Sequence, residues 1–180
     1  MDQPEITLDM RIAARANPGS WLYVIDPVFE ADDDVPPWGV VGAYPVDASG
    51  EIRETFSPNA EYRPSPRALR MPLPSNDVEK VLQLVRTRHL DQGALLPALR
   101  TAKLLVYARD ARDTGITAFP NHDGQVMVPA CTSVGRVPRQ WPGWREVKGS
   151  ALAAQLNGYP LVVNPTGPIT AIIPAADLLG

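Results

Sequence analysis

Apolar and polar positions alternate along this chain in short bursts, each cut off by proline or glycine, and the bursts predict brief helices and strands. Residues 7–16 predict a helix: Thr7 suits its cap, and Leu8, Ile12 and Ala16 recur at fourfold spacing before Asn17-Pro18-Gly19 stops it. Residues 21–25 (WLYVI) predict a strand ended by Asp26-Pro27. A second strand over 38–46, a turn at 47–50 and a third strand over 51–56 make a hairpin, and a proline-rich loop follows over 57–74. The clearest helix comes next. Asn76 caps it, Glu79 occupies the capping-box position, and Val78, Val81, Leu82 and Val85 form an apolar stripe. Arg86, Arg88 and His89 fall in its last turn, where cations suit the helix dipole.

A second helix over 93–102 carries Leu95, Leu96 and Leu99, and residues 103–108 (KLLVYA) predict a strand. Strands at 116–119 and 125–130 flank Asn121-His122-Asp123-Gly124, a hairpin with Asp-Gly at its tip. A short helix at 133–139, a strand at 144–147 and a Ser150-capped helix through 156 follow. Strands at 161–163 and 169–173 bracket the turn 164–167, and Pro174 opens a last helical turn. This order predicts an α+β chain of mixed or antiparallel sheets flanked by short helices. It predicts two small units, residues 1–90 and 91–180, packed as one globule or standing apart. The boundary depends on which unit the helix at 76–89 joins.

Composition narrows the function classes. With 44% hydrophobic residues over 180 positions, the chain has enough apolar matter for a core. A net charge of −3 argues against nucleic acid as a partner. No apolar run approaches the roughly 18–20 residues of a membrane span, and the N-terminus (MDQPEITLDM) has acidic residues where a signal peptide needs basic ones. The expected location is the cytoplasm, which also suits a lone cysteine, Cys131. The 20 prolines are spread along the chain, so stiffened loops between short elements are expected.

Candidate chemistry is sparse. His89, His122 and Cys131 are too few for a structural zinc site, and Asp32-Asp33-Asp34 lacks the glycine and glutamate of a calcium loop. Cys131 precedes a predicted helix start, but a thiol nucleophile needs a base, and the chain has 2 histidines. Neither common phosphate-loop fingerprint occurs. No metal, no cofactor and no enzymatic activity are therefore expected. Protein binding is. Tyr62, Arg63 and Arg67 stand on the stiff loop YRPSPR, and Trp141 and Trp144 frame WPGW; aromatic residues and arginine on preorganised loops favour binding hot spots. Trp21 and Trp38, on strand-like segments, are expected in the core.

Two resemblances bear on function. KLLVYA, the HDG hairpin, QVMVPACTS, WREVKGSALAAQL and LVVNPTGP with ITAIIP resemble the SseB family, in which an "fT" phrase and an "NP" turn recur; these fall here on Thr132 and on Asn164-Pro165, with Cys131 replacing the usual aromatic. NPGSWLYVIDPVF, PPWGVVGAYPVD and YRPSPRAL resemble the N-terminal part of actinobacterial type VII secretion system-associated proteins. Together they imply an α+β accessory or adaptor protein that binds a secretion substrate or a machine component. The competing expectation is an immunity protein that neutralises a toxin, with the acidic loop 30–34 mimicking nucleic acid. Neither resemblance carries catalytic residues, and homo-oligomerisation is open.

Overall fold

The Thr7 side chain accepts a hydrogen bond from the Met10 N–H at 3.3 Å, and α1 (Leu8–Ala16) begins where that cap predicts. In this computed structural model, which describes residues 3–179, the chain divides into two compact units, one ending at Met71 and the other beginning at Pro72. The division lies well before residue 90. The helix at 77–86 belongs to the second unit because its stripe packs into that unit's core. The α+β class expected from the element order is the class observed. No helix among the described residues is long and apolar enough to cross a membrane.

The first unit is a three-stranded antiparallel sheet, β1 (Trp21–Ile25), β2 (Val40–Pro45) and β3 (Ser57–Pro58), in the order β1-β2-β3. The expected strand over 51–56 shrinks to a single bridge, Val46 to Ile52. The Asp47 carboxylate explains this: it accepts from the Ser49 and Glu51 amides, curling the chain into a local turn instead of a ladder. Gly42 then lets β3 close in, since a Cβ there would sit 2.5 Å from the Ser57 carbonyl. On α1 the predicted apolar stripe is not the buried face. Leu8 and Ile12 are 73% and 59% exposed, and the helix packs through Ala14, whose small side chain allows close approach. Trp21, expected in the core, is 52% exposed on β1. Trp38 lies in a 3-10 turn, half-buried against Phe29.

The second unit holds α2 (Asp77–Arg86), α3 (Leu95–Thr101), β4 (Lys103–Ala108), β5 (Phe119–Pro120), β6 (Val126–Cys131), β7 (Gly143–Lys148), α4 (Gly149–Ala153), β8 (Leu161–Val163), β9 (Ala171–Ile173) and α5 (Ala175–Leu179). The sheet order is β7-β4-β6-β8-β9, with β5 paired to β6. Every pairing is antiparallel except β6 with β8. One sheet face, with Leu104, Val106, Val128, Leu161 and Val163, meets Val78 and Leu82 of α2, Leu95 and Leu99 of α3 and Leu152 of α4. Each fully buried leucine there contributes roughly 1.5–3 kcal/mol.

Two local expectations change. The helix predicted at 133–139 is one 3-10 turn, Val134–Arg136, cut short before Pro138. Ser150 does not cap α4, which starts a residue earlier at Gly149. There the backbone N–H bonds the Ala102 carbonyl at 2.8 Å, and a Cβ would fall 1.8 Å from the Leu99 carbonyl oxygen.

Candidate binding surface and its polar clamp

Parallel pairing brings the C-terminal ends of β6 and β8 side by side, so the residues that follow them, Thr132 and Asn164, are neighbours. Asn164 takes a left-handed backbone (φ 52), which asparagine tolerates better than most residues. Its side chain accepts from the Thr132 N–H at 2.9 Å and donates to the Thr132 hydroxyl oxygen at 2.9 Å. Glu79, projecting from the first turn of α2, closes the knot. Its Oε1 accepts from the Thr132 hydroxyl at 2.8 Å, the Ser133 hydroxyl at 3.1 Å and Arg136 Nε at 3.2 Å. Its Oε2 accepts from the Ser75 N–H at 3.0 Å and Arg136 Nη2 at 3.4 Å.

The capping box read from the sequence is therefore half-formed. Asn76 accepts from the Glu79 N–H at 3.0 Å, but the Glu79 carboxylate turns away to bind Thr132 and Arg136. Burial opposes ionisation of this 4%-exposed carboxylate, but the donors from Arg136, Ser75 and Thr132 outweigh it and hold the group at about 2. A carboxylate so saturated is a poor proton acceptor. The adjoining recess, lined by Glu79, Gln83, Arg136 and Asn164 among others, holds about 10 Å³, barely a water. This cluster is a clamp joining α2 to the two parallel strand ends.

A larger cleft of about 660 Å³ opens beside the start of α2, lined by Asn76, Asp77, Ala98, Lys103, Leu104 and Thr132. It brings together one carboxylate and one ammonium but no histidine or thiol. Cys131 is fully buried, its Sγ donates to the Arg136 carbonyl at 3.3 Å, and burial pushes its thiol up to about 11. Among the described residues no group of three or more His, Cys, Asp or Glu side chains could hold a metal ion.

The predicted contact residues fall into two settings. Tyr62, Arg63 and Arg67 lie in the first unit on a loop anchored to that unit. The Tyr62 hydroxyl donates to Asp26 Oδ2 at 3.0 Å, and Ser65 donates to the same carboxylate through its N–H at 2.9 Å and its hydroxyl at 2.5 Å. Asp26 is 1% exposed. Burial works against its charge, but the two Ser65 donors, the Val28 amide and Tyr62 together lower its pKa. Burial and the Asp26 charge push Tyr62 up to about 12. The Arg63 N–H bonds the Trp38 carbonyl at 3.1 Å, and Arg67 reaches Glu30 at 3.7 Å on the exposed surface. Tyr62 thus serves first as a strut of its own loop.

Trp141 and Trp144 lie in the second unit, on the sheet face opposite the helices. Trp144 stands directly across from Tyr107 in the β4–β7 ladder and is 43% exposed. The Tyr107 ring meets Phe119 edge-on at 5.0 Å and Trp141 at 5.7 Å. The result is an aromatic group on three strand segments, rimmed by the Lys103–Glu146 ion pair at 2.7 Å. Tyr107 and Phe119 were not singled out by sequence. The only signal for them was their place at the end of KLLVYA and at the start of the hairpin.

Residues 78–179 match the family model described as the SseB protein N-terminal domain, a match that runs from the second residue of α2 to the end of α5. No curated protein and no solved structure matches the chain.

Proposed function

The chain belongs to the SseB family, and from that membership together with the first unit's resemblance we propose a non-enzymatic, protein-binding accessory or adaptor protein that works in the cytoplasm beside an actinobacterial type VII secretion system. The observation that carries this reading is the aromatic group of Tyr107, Phe119, Trp141 and Trp144, in which a half-buried Tyr107 is flanked by the exposed Phe119 and Trp144 and an ion pair stands at the rim. Aromatic anchors inside a polar border are the arrangement that concentrates binding energy in protein interfaces. Its rings brace one another, so little side-chain freedom is lost on contact. The saturation of Glu79 and the burial of Cys131 support a role without turnover. The secretion assignment draws on the first unit's resemblance to type VII-associated proteins.

The test is capture of purified type VII substrates and core components by the full chain, with Trp144→Ala and Phe119→Ala as paired controls. Enrichment of one component by the unaltered protein, lost in both variants, is the expected result. Failure to enrich any of them would sink the reading. A second reading, immunity against a secreted toxin, draws on the exposed carboxylates Glu30, Asp32, Asp33 and Asp34. Co-expression with toxins from neighbouring genes separates the two. Growth rescue that survives Trp144→Ala and disappears when Asp32, Asp33 and Asp34 become Asn would favour immunity.

A further inference from the structure

We propose that the open edge of β1 is a self-association site, where the strand pairs antiparallel with β1 of a second copy of this chain across a two-fold axis at Tyr23. Strand β1 lies at the end of its sheet, with only β2 beside it. The Val46 N–H bonds the Ser20 carbonyl and the Asp26 N–H bonds the Gly39 carbonyl, so Ser20, Leu22, Val24 and Asp26 turn their backbone groups toward β2. Trp21, Tyr23 and Ile25 turn theirs outward, and among the described residues none of the three bonds any other backbone group.

The other sheet edges differ. Strands β3 and β5 have two residues each, with Pro120 in β5, and β9 has three, while β7 carries Arg145, Glu146 and Lys148, charges of the kind that protect an edge. Strand β1, WLYVI, has no charge, and Trp21 and Tyr23 are 52% and 62% exposed. Among the described residues it is the one edge of five or more residues without a charged guard.

The sequence of β1 selects the occupant. With Tyr23 opposite Tyr23 of the partner copy, Trp21 faces Ile25 in both directions, and each outward residue meets an outward residue able to exchange both hydrogen bonds. These aromatic and aromatic–β-branched pairs are favourable cross-strand neighbours, and no like charges meet. Sliding the register two residues one way puts Pro27, which has no N–H, opposite Trp21; sliding it the other way leaves Ile25 opposite Gly19. On β7 an antiparallel self-pair centred on either middle residue sets Arg145 against Arg145 or Glu146 against Glu146. The product on β1 is a continuous sheet with a closed, isologous interface.

The experiment is sedimentation equilibrium of the full chain with three variants. The unaltered protein is expected at twice the monomer mass. Tyr23→Lys, which sets two ammonium groups against each other on the axis at an exposed position, is expected to raise the dimer dissociation constant at least about tenfold, with unchanged circular dichroism. Tyr23→Cys is expected to form a covalent dimer on mild oxidation, while Tyr159→Cys, 45% exposed in the other unit, is not; the native Cys131 is buried and does not compete. The crosslink decides the matter should Tyr23→Lys fail to fold. A monomeric unaltered protein, a Tyr23→Lys variant that remains dimeric, an uncrosslinked Tyr23→Cys, or a monomer whose β1 edge takes up an unrelated extended peptide would each overturn the proposal.

Discussion

Replacing Glu79 with glutamine isolates the charge of the clamp while preserving its shape. In the native arrangement Glu79 accepts from five donors across its two oxygens, two of them on Arg136. A glutamine presents an NH₂ where one oxygen stood, facing Arg136 or the Ser75 amide donor to donor. The magnitude follows from the titration. Held at about 2 against an ordinary 4.5, at roughly 1.4 kcal/mol per pH unit, the carboxylate contributes about 3 kcal/mol at neutral pH. The cost of breaking a buried pair by removing one partner falls in the same range, roughly 3–5 kcal/mol. Because the folded-state pKa is depressed, this stability is fully present above about 4.5 and is lost as pH falls toward about 2. The assay is urea unfolding of the parent and Glu79→Gln across that window, with amide exchange at β6 and β8 locating the loss in the second unit. The variant should be less stable by about 3 kcal/mol at neutral pH, and the two curves should converge in acid. A gap below about 1 kcal/mol at neutral pH, the worth of an ordinary surface pair, or one that persists unchanged into acid, would refute the reasoning.

Other expectations follow from single sites. Gly149→Ala drives a methyl into the Leu99 carbonyl and should cost about 1–3 kcal/mol or more, read from the thermal midpoint; an unchanged midpoint would mean that α3 and α4 move apart freely. Asp26→Asn removes the charge that four donors share and should destabilise the first unit by about 1–3 kcal/mol at neutral pH. The same change should bring the Tyr62 phenolate transition down from about 12, visible by ultraviolet absorbance. The Asp26 contribution fades as acid protonates the carboxylate, since its folded-state pKa lies below the ordinary value. Cys131, with its thiol at about 11 and no exposed surface, should resist iodoacetamide in the folded protein and react once urea unfolds the second unit; rapid native labelling would contradict its burial.

What the sequence revealed was local, and what it hid was long-range. Helix α2 was legible because its cap and stripe lie within ten residues of one another. Strands β4 and β8 were legible as uninterrupted apolar runs. The clamp was not, because Glu79, Thr132, Arg136 and Asn164 meet only through the parallel pairing of β6 and β8, which no periodicity encodes. Even so, two of its members fell within the ACTS and NP phrases quoted for the family resemblance. The Tyr62 loop stands out in the sequence as a candidate contact, but its buried anchor, Asp26, lies 36 residues away and no local pattern points to it. On α1 the fourfold spacing of Leu8 and Ile12 did mark a helix face, but periodicity identifies a face without saying what covers it, and Ala14 is the residue that packs.

The most direct test of the binding account is a hydrogen–deuterium exchange footprint of the full chain with a captured secretion component bound. The account predicts added protection at β4, β5 and residues 141–148, where the aromatic group sits, and none at the already saturated clamp. Protection confined to other surfaces, with Tyr107, Phe119 and Trp144 exchanging as in the free protein, would contradict it.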